Sequence, residues 1–252
     1  MSPKRQTATH TQAIVVTLKD TPGDQKLVRA LGQCNGSGCD RDQCSASCWF
    51  ALRLLRLELI PDATRVFFDF GAPVYTVTAV NPDYRRKIGD LVSVPIDGYR
   101  QWLSRRLRRL SRSGNNLIAF GSIEVTLNTE LDRHSYWSPH AQLVIAGAVP
   151  KELMTALKPG KHTSPSETLV MVKPALCLGR ALGYAIKRKP EQRIAYIAQN
   201  GRQHRRKVRL PVKQFYEHEN WLATQTIDER LFLYGLRRHG HQLLPIENDA
   251  QR

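Results

Sequence analysis

Residues 117–146 read LIAFGSIEVTLNTELDRHSYWSPHAQLVIA. Apolar, β-branched runs at 117–127 and 141–146 flank a polar stretch containing Asp132, Arg133 and His134, the pattern of two strands joined by a loop. In the first strand Ile123 and Val125 take the core side, so Glu124 points to the opposite face. His140 and Gln142 open the second strand and, two residues apart, share a face. If the strands pair as a hairpin, a carboxylate, an imidazole and an amide oxygen meet on one sheet face, a donor set suited to a divalent cation. Each residue alone has an ordinary alternative: a solvated glutamate on an open sheet face, a histidine at a polar strand edge.

Working outward, VYTVTAV (74–80) is a strand closed by Asn81-Pro82, and residues 81–97 are a loop. YRQWLSRRLRRLSR (99–112) has helical periodicity: Leu103, Leu107 and Leu110 share one face, while Arg105, Arg106, Arg108, Arg109 and Arg112 cover the rest. Upstream, WFALRLLRLELI predicts a helix that stops at Pro61, followed by a strand at 66–70. A further strand is expected at 13–18 in a polar N-terminal arm. Downstream, the pattern predicts a short helix at 150–158, a loop at 159–168, a helix at 173–189 ended by Pro190, a strongly basic segment at 191–210, and a helix toward the end of 222–240. The core order of strand, helix, strand, strand, helix implies an α+β fold, ferredoxin-like, with an antiparallel sheet and helices on one face. The chain divides accordingly into an arm with a Cys-rich helical segment (1–61), a core (62–190) and a basic C-terminal extension (191–252).

The 252 residues carry 38 Lys+Arg against 22 Asp+Glu, a net charge of +16, which makes a polyanion the first partner to consider. At 41% hydrophobic and 24% charged residues the composition is that of a folded protein. No apolar run approaches the roughly 20 residues that span a bilayer, and the basic start MSPKRQTATHTQAIVV lacks the apolar segment of a signal peptide. A cytoplasmic protein with no membrane partner is therefore expected. Cys34, Cys39, Cys44 and Cys48 follow a C-x4-C-x4-C-x3-C spacing without the C-x2-C pair usual in zinc sites. They are candidate ligands of a structural Zn2+, with free thiols the alternative. Cys177 reads as a small core residue on a helix. Tyr184 and Lys187 fall three apart on that predicted helix and so share a face.

Taken in order, VYTVTAVNP (74–82), the Glu124 strand with SPHAQLV, and YAIK (184–187) resemble the motifs of the HUH endonucleases, and most closely the rolling-circle replication initiators of plasmids. The Cys-rich start is similar to the segment that precedes the core in many of these proteins. The resemblance covers roughly residues 34–190 and departs at Gln142, where the family places a second histidine. A glutamine offers a neutral oxygen, so affinity for softer transition metals falls. The resemblance implies an HUH-like core in which Glu124, His140 and Gln142 hold Mg2+ or Mn2+. It implies that Tyr184 attacks single-stranded origin DNA to leave a 5′-phosphotyrosine and that Lys187 assists it. Partners implied are DNA, both the single-stranded origin and flanking duplex, and the host replication helicase and polymerase. Arg105, Arg106, Arg108, Arg109, Arg112, Arg205, Arg206 and Lys207 are candidate phosphate contacts. Trp102, Tyr136 and Trp137 are candidate stacking residues for bases. A transposase or relaxase of the same superfamily, or a non-catalytic basic nucleic-acid binder, fits the same charge.

Overall fold

The computed structural model describes residues 12, 15, 25–34, 39, 44–114, 116–160, 168–188, 190–240 and 242–246. The strand expected at 13–18 and the loop at 159–168 fall almost entirely outside them. Among the described residues the chain is α+β, built on one mixed sheet. Its strands are β1 (Val74–Val80), β2 (Arg86–Lys87), β3 (Ile118–Thr129), β4 (Ser135–Ala146), β5 (Val170–Pro174), β6 (Gln192–Ile197), β7 (Gln203–Val208) and β8 (Leu231–Tyr234). The order is β5-β1-β4-β3-β6-β7, with β2 added to β4 and β8 to β3. The β3–β4 hairpin is the long central pair, in register from Ile118↔Ala146 to Thr129↔Ser135. The other pairings are antiparallel, but β6 runs parallel to β3 at Leu127–Thr129. A separate hairpin joins β9 (Leu236–His239) to β10 (Gln242–Pro245).

The period of two in β3 and β4 creates two faces, and both are apolar at one end. On the odd-numbered face Ala119, Ile123, Ala141, Leu143 and Ile145 meet Tyr99, Leu103, Leu107 and Leu110 of helix α3 (Ile96–Arg112; α1 and α2 lie earlier in the chain). Tyr99 Oη donates to Ala79 O at 2.8 Å, pinning that helix to β1. On the even-numbered face Ile118, Phe120, Val144 and Ala146 lie in one cluster with α2 (Trp49–Asp69) and α5 (Leu178–Ala185). Helices therefore cover both faces rather than one, because both faces of the central strands present apolar side chains. Beyond Phe120 the even face turns polar, with Ser122, Glu124, Thr126 and Asn128 in succession.

The remaining helices are α1 (Gln25–Gly32), α4 (Pro150–Leu157), α6 (Val212–Ala223) and the single turn α7 (Ile227–Arg230). Val28 and Leu31 of α1 pack against Trp49, Phe215 and Tyr216, which attaches the N-terminal segment to α2 and α6.

Three expectations are corrected. The helix predicted to stop at Pro61 continues to Asp69 and absorbs the strand predicted at 66–70. A proline inside a helix costs about 3 kcal/mol, but Leu52, Leu55, Leu59, Ala63, Val66 and Phe67 keep one buried stripe across it. Burying Val66 and Phe67 returns about 1.5–3 kcal/mol each. Phe68 between them and the solvent is 80% exposed, a helical and not an alternating pattern. The helix predicted at 173–189 is shorter, because residues 170–174 form the edge strand β5. Pro174 lacks an N–H and holds Lys173 extended, which an edge strand tolerates. The helix predicted toward the end of 222–240 is replaced by α7, β8 and β9, with Leu231 and Leu233 paired to Ser122 and Phe120.

Candidate active site

The register of the central strands assembles the site. Glu124 lies directly across from His140, and Gln142 sits between Ser122 on β3 and Thr78 on β1. All share the even face. His140 Nε2 lies 3.8 Å from Glu124 Oε2, and both side chains are buried. Thr78 Oγ1 donates to Gln142 Oε1 at 3.1 Å, which aims the amide. Gly121 lets β3 and β4 close here: a Cβ at that position would fall 2.0 Å from Gln142 O. His140 Nδ1 lies 3.3 Å from Ser138 O, so with the proton on Nδ1 the Nε2 lone pair faces the carboxylate.

Electrostatics make this an incomplete arrangement. Burial pushes the Glu124 carboxyl up to about 7, opposed chiefly by Lys187 and then Arg230. Burial, reinforced by Arg193, pushes His140 down to about 3. A neutral imidazole beside a carboxylate is not an ion pair, and at this separation the two share no hydrogen bond. Glu124 Oε1 and His140 Nε2 have no hydrogen-bond partner, each buried. A buried, unpartnered carboxylate oxygen is costly. Two unpartnered acceptors on one sheet face, with Gln142 on the same face of the strand two residues on, are donor types that suit a divalent cation.

Tyr184 reaches the same face from α5. Ser122 Oγ donates to Ala185 O at 2.7 Å, tying that helix to β3. On the far side of the helix Gly183 allows close packing on α2, with Arg56 and Ile60 nearest. The helix ends at Ala185, so Lys187 lies in a turn beyond it, its N–H donating to Tyr184 O at 3.2 Å. Lys187 Nζ sits 3.5 Å from the centroid of the Tyr184 ring and 3.9 Å from Glu124 Oε2. One ammonium thus joins the tyrosine to the carboxylate. The Tyr184 side chain is otherwise accessible, the residue being 47% exposed.

Two clefts flank the pair. One of about 700 Å3 contains Thr78, Gln142, Lys173, Arg180 and Tyr184, and the other, about 580 Å3, contains Arg85, Thr126, Asn128, Tyr136 and His140. Arg193 and Arg205 line both, so the clefts adjoin along the β6–β7 hairpin. Arg205 Nη2 donates to both carboxylate oxygens of Glu130, at 2.7 and 2.9 Å. Arg193 and Lys207 both hold Glu191 Oε1 at 3.1 Å. Arg85, Lys173, Arg180 and Arg193 were missed by sequence reasoning. Only the alternation within 192–208 carried a signal for Arg193.

Other candidates lie elsewhere. Arg105, Arg106, Arg108, Arg109 and Arg112 belong to α3, on the opposite face of the sheet from His140. Arg206 is exposed on β7 but lines neither cleft. Trp102 and Trp137 are buried in the core and are not open to bases. Tyr136 lines the second cleft, with its hydroxyl on Glu130 Oε1 at 2.6 Å and Arg85 over its ring. Cys177 is exposed before α5 and lines the tyrosine cleft, contrary to the expectation of a core residue.

Behind the site Arg188 is buried. It donates to Ser47 O, pairs with Glu219 and stacks over Trp49 at 4.8 Å. The Sγ atoms of Cys34, Cys39 and Cys48 lie within 4.8 Å of one another and can hold a metal; Cys44 is not in that group. Cys48 also caps α2, its sulfur accepting from Ala51 N at 3.4 Å. No family model, curated protein or solved structure matches this chain.

Proposed function

We propose that the chain is a divalent-metal-dependent DNA strand transferase with Tyr184 as nucleophile, acting as a rolling-circle replication initiator on an HUH-like core. The observation that carries this reading is the buried pair of unpartnered acceptors, Glu124 Oε1 and His140 Nε2, linked through Lys187 to an accessible tyrosine. Glu124, His140 and Gln142 would hold Mg2+ or Mn2+, which when bound would supply Lewis-acid polarisation of the scissile phosphate. Burial disfavours the charged form of His140, and with its proton on Nδ1, facing Ser138 O, the Nε2 lone pair is left for a cation. Gln142, oriented by Thr78, adds a neutral oxygen. Lys187 stabilises the Tyr184 phenolate electrostatically as its proton leaves to solvent. The phenolate oxygen attacks phosphorus, the P–O3′ bond breaks, and the 3′-oxygen takes a proton from solvent. The 5′-phosphotyrosine conserves the bond for rejoining, and the free 3′-hydroxyl is an end that a host polymerase extends while a helicase opens the duplex.

The basic hairpin and Lys173, Arg180 and Arg193 provide a trough for the phosphates of a single strand, sequence-independent and weakened by salt. The arginines of α3, across the sheet, suit flanking duplex DNA. On this reading the enzyme works in the cytoplasm; a transposase or relaxase would use the same step.

The test uses a pool of random-sequence single strands with Mn2+. Strands labelled at the 3′ end should give a denaturant-resistant adduct, and strands labelled at the 5′ end only a released fragment. An adduct carrying the 5′ label would reverse the polarity, and no adduct from either pool leaves the trough as a non-catalytic binder.

A further inference from the structure

The thiol cluster stands at a joint. Cys34 follows α1, Cys48 caps α2, and Cys39 lies between them in sequence. Three sulfurs within 4.8 Å are already close to the roughly 3.8 Å separation that Zn–S bonds of about 2.3 Å impose in a tetrahedron. None of these cysteines is in a disulfide. Cys34 and Cys39, with four residues between them, fall at the upper end of the spacing at which one loop delivers two ligands.

The residues on either side of Cys48 lead away from the cluster. The carbonyl of Ser47 accepts from Arg188, and the ring of Trp49 lies beneath the same guanidinium. Arg188 is next in the chain to Lys187, and its other end is held by Glu219 of α6. A cation on Cys48 therefore fixes the backbone that receives Arg188. The positive charge of Arg188 also offsets the net negative charge of a zinc ion bound by three thiolates.

We propose that Cys34, Cys39 and Cys48 form a structural zinc site that locks the N-terminal segment onto the start of α2 and, through Arg188, holds the Tyr184–Lys187 turn in place. The tetrahedron's fourth position falls to Cys44, packed against the same core, or to water. Zinc here does no chemistry; it closes a short loop whose own apolar content is too small to fold it.

The test needs no DNA, so it stands whether or not the chain cuts strands. Protein from zinc-supplemented cells is assayed for metal by atomic emission, then titrated with an organomercurial. One zinc per chain should be released as the ligand thiols react, three of them if water holds the fourth position and four if Cys44 does. Cys177→Ser should release the same amount, and His140→Ala should keep it, separating this site from the carboxylate–imidazole pair. Cys48→Ser should lose most of the zinc; Cys34→Ser, which leaves the helix cap intact, serves the same purpose if Cys48→Ser does not fold. Hydrogen exchange at amides 184–188 should accelerate by roughly tenfold or more on zinc removal. A wild-type chain without zinc that gains no thermal stability on adding it would overturn the site. Unchanged exchange at 184–188 on zinc removal would overturn the coupling to the tyrosine.

Discussion

The hydroxyl of Ser122 donates to the carbonyl of Ala185 at 2.7 Å, and this buried bond joins the strand of Glu124 to the helix of Tyr184. It satisfies a carbonyl at the end of α5 and sets how far the tyrosine stands from the carboxylate. Ser122→Ala should cost about 1–3 kcal/mol, the penalty of an unsatisfied buried acceptor. Denaturant titration measures that loss. Adduct formation should slow by more than the unfolded fraction explains, while Ser122→Thr, which keeps the hydroxyl, should restore it.

Tyr184→Phe removes one oxygen from a half-exposed side chain, so stability should change by less than about 0.5 kcal/mol. The covalent adduct should vanish, with single-strand binding unchanged. Persistence of the adduct, mapped by peptide mass to Tyr196 or another tyrosine, would relocate the nucleophile.

Gln142→His replaces an amide oxygen with an imidazole nitrogen at a position flanked by Thr78 and Ser122. Mn2+ affinity, read by calorimetry, should rise by roughly tenfold, with a smaller gain for Mg2+. Glu124→Gln should abolish measurable binding of both ions. Equal affinities in wild type and Glu124→Gln would remove Glu124 from the cation site.

Arg193 lines both clefts and should be the most sensitive phosphate contact. Arg193→Ala should reduce the slope of log affinity against log salt for single strands by about 0.7, as expected for one phosphate contact. Arg108→Ala with Arg109→Ala, across the sheet, should leave that slope alone and weaken duplex binding. A reversed pattern would put the single strand on α3.

Stability should fall on mild acidification. Burial holds His218 and His140 below the imidazole value of 6.5 in the fold, so below pH 6.5 the unfolded chain binds protons that the folded chain does not. Glu124 opposes this, since its raised value makes the fold bind a proton between about 7 and 4.5. Two imidazoles held down by burial act against one carboxylate held up by it, so stability falls as the pH drops below 6.5. Urea titrations from pH 7.5 to 5 in a chelator should show it, and His218→Gln should flatten the curve. Rising stability over that range would mean that the carboxylate dominates.

The parity of Glu124, His140 and Gln142 was legible because alternation is local: Ile123 and Val125 define one face and the polar residues take the other. The hairpin was legible for the same reason. The placement of the arginines was not. The leucine stripe of α3 shows that the helix is amphipathic, but which sheet face receives it depends on the connection from β1 and on the odd-face residues Ala119, Ile123 and Leu143. Pro61 and Pro174 act in opposite directions. At Pro61 packing overrides a local penalty, and at Pro174 the local restriction on Lys173 decides the strand. Arg188 gave no sign in sequence, since burial of an arginine rests on Ser47, Trp49 and Glu219, all distant in the chain.

The pairing of β3 with β6 and β8 has a consequence for biosynthesis. The β3–β4 hairpin is complete once residue 146 has been made, yet the other edge of β3 is covered only by strands that begin at residues 192 and 231. A nascent chain therefore carries an exposed, apolar strand edge until its C-terminal part emerges, and such edges recruit other chains. A fragment cut at residue 190 would keep that edge permanently. It should self-associate even with Glu124, His140 and Tyr184 all present.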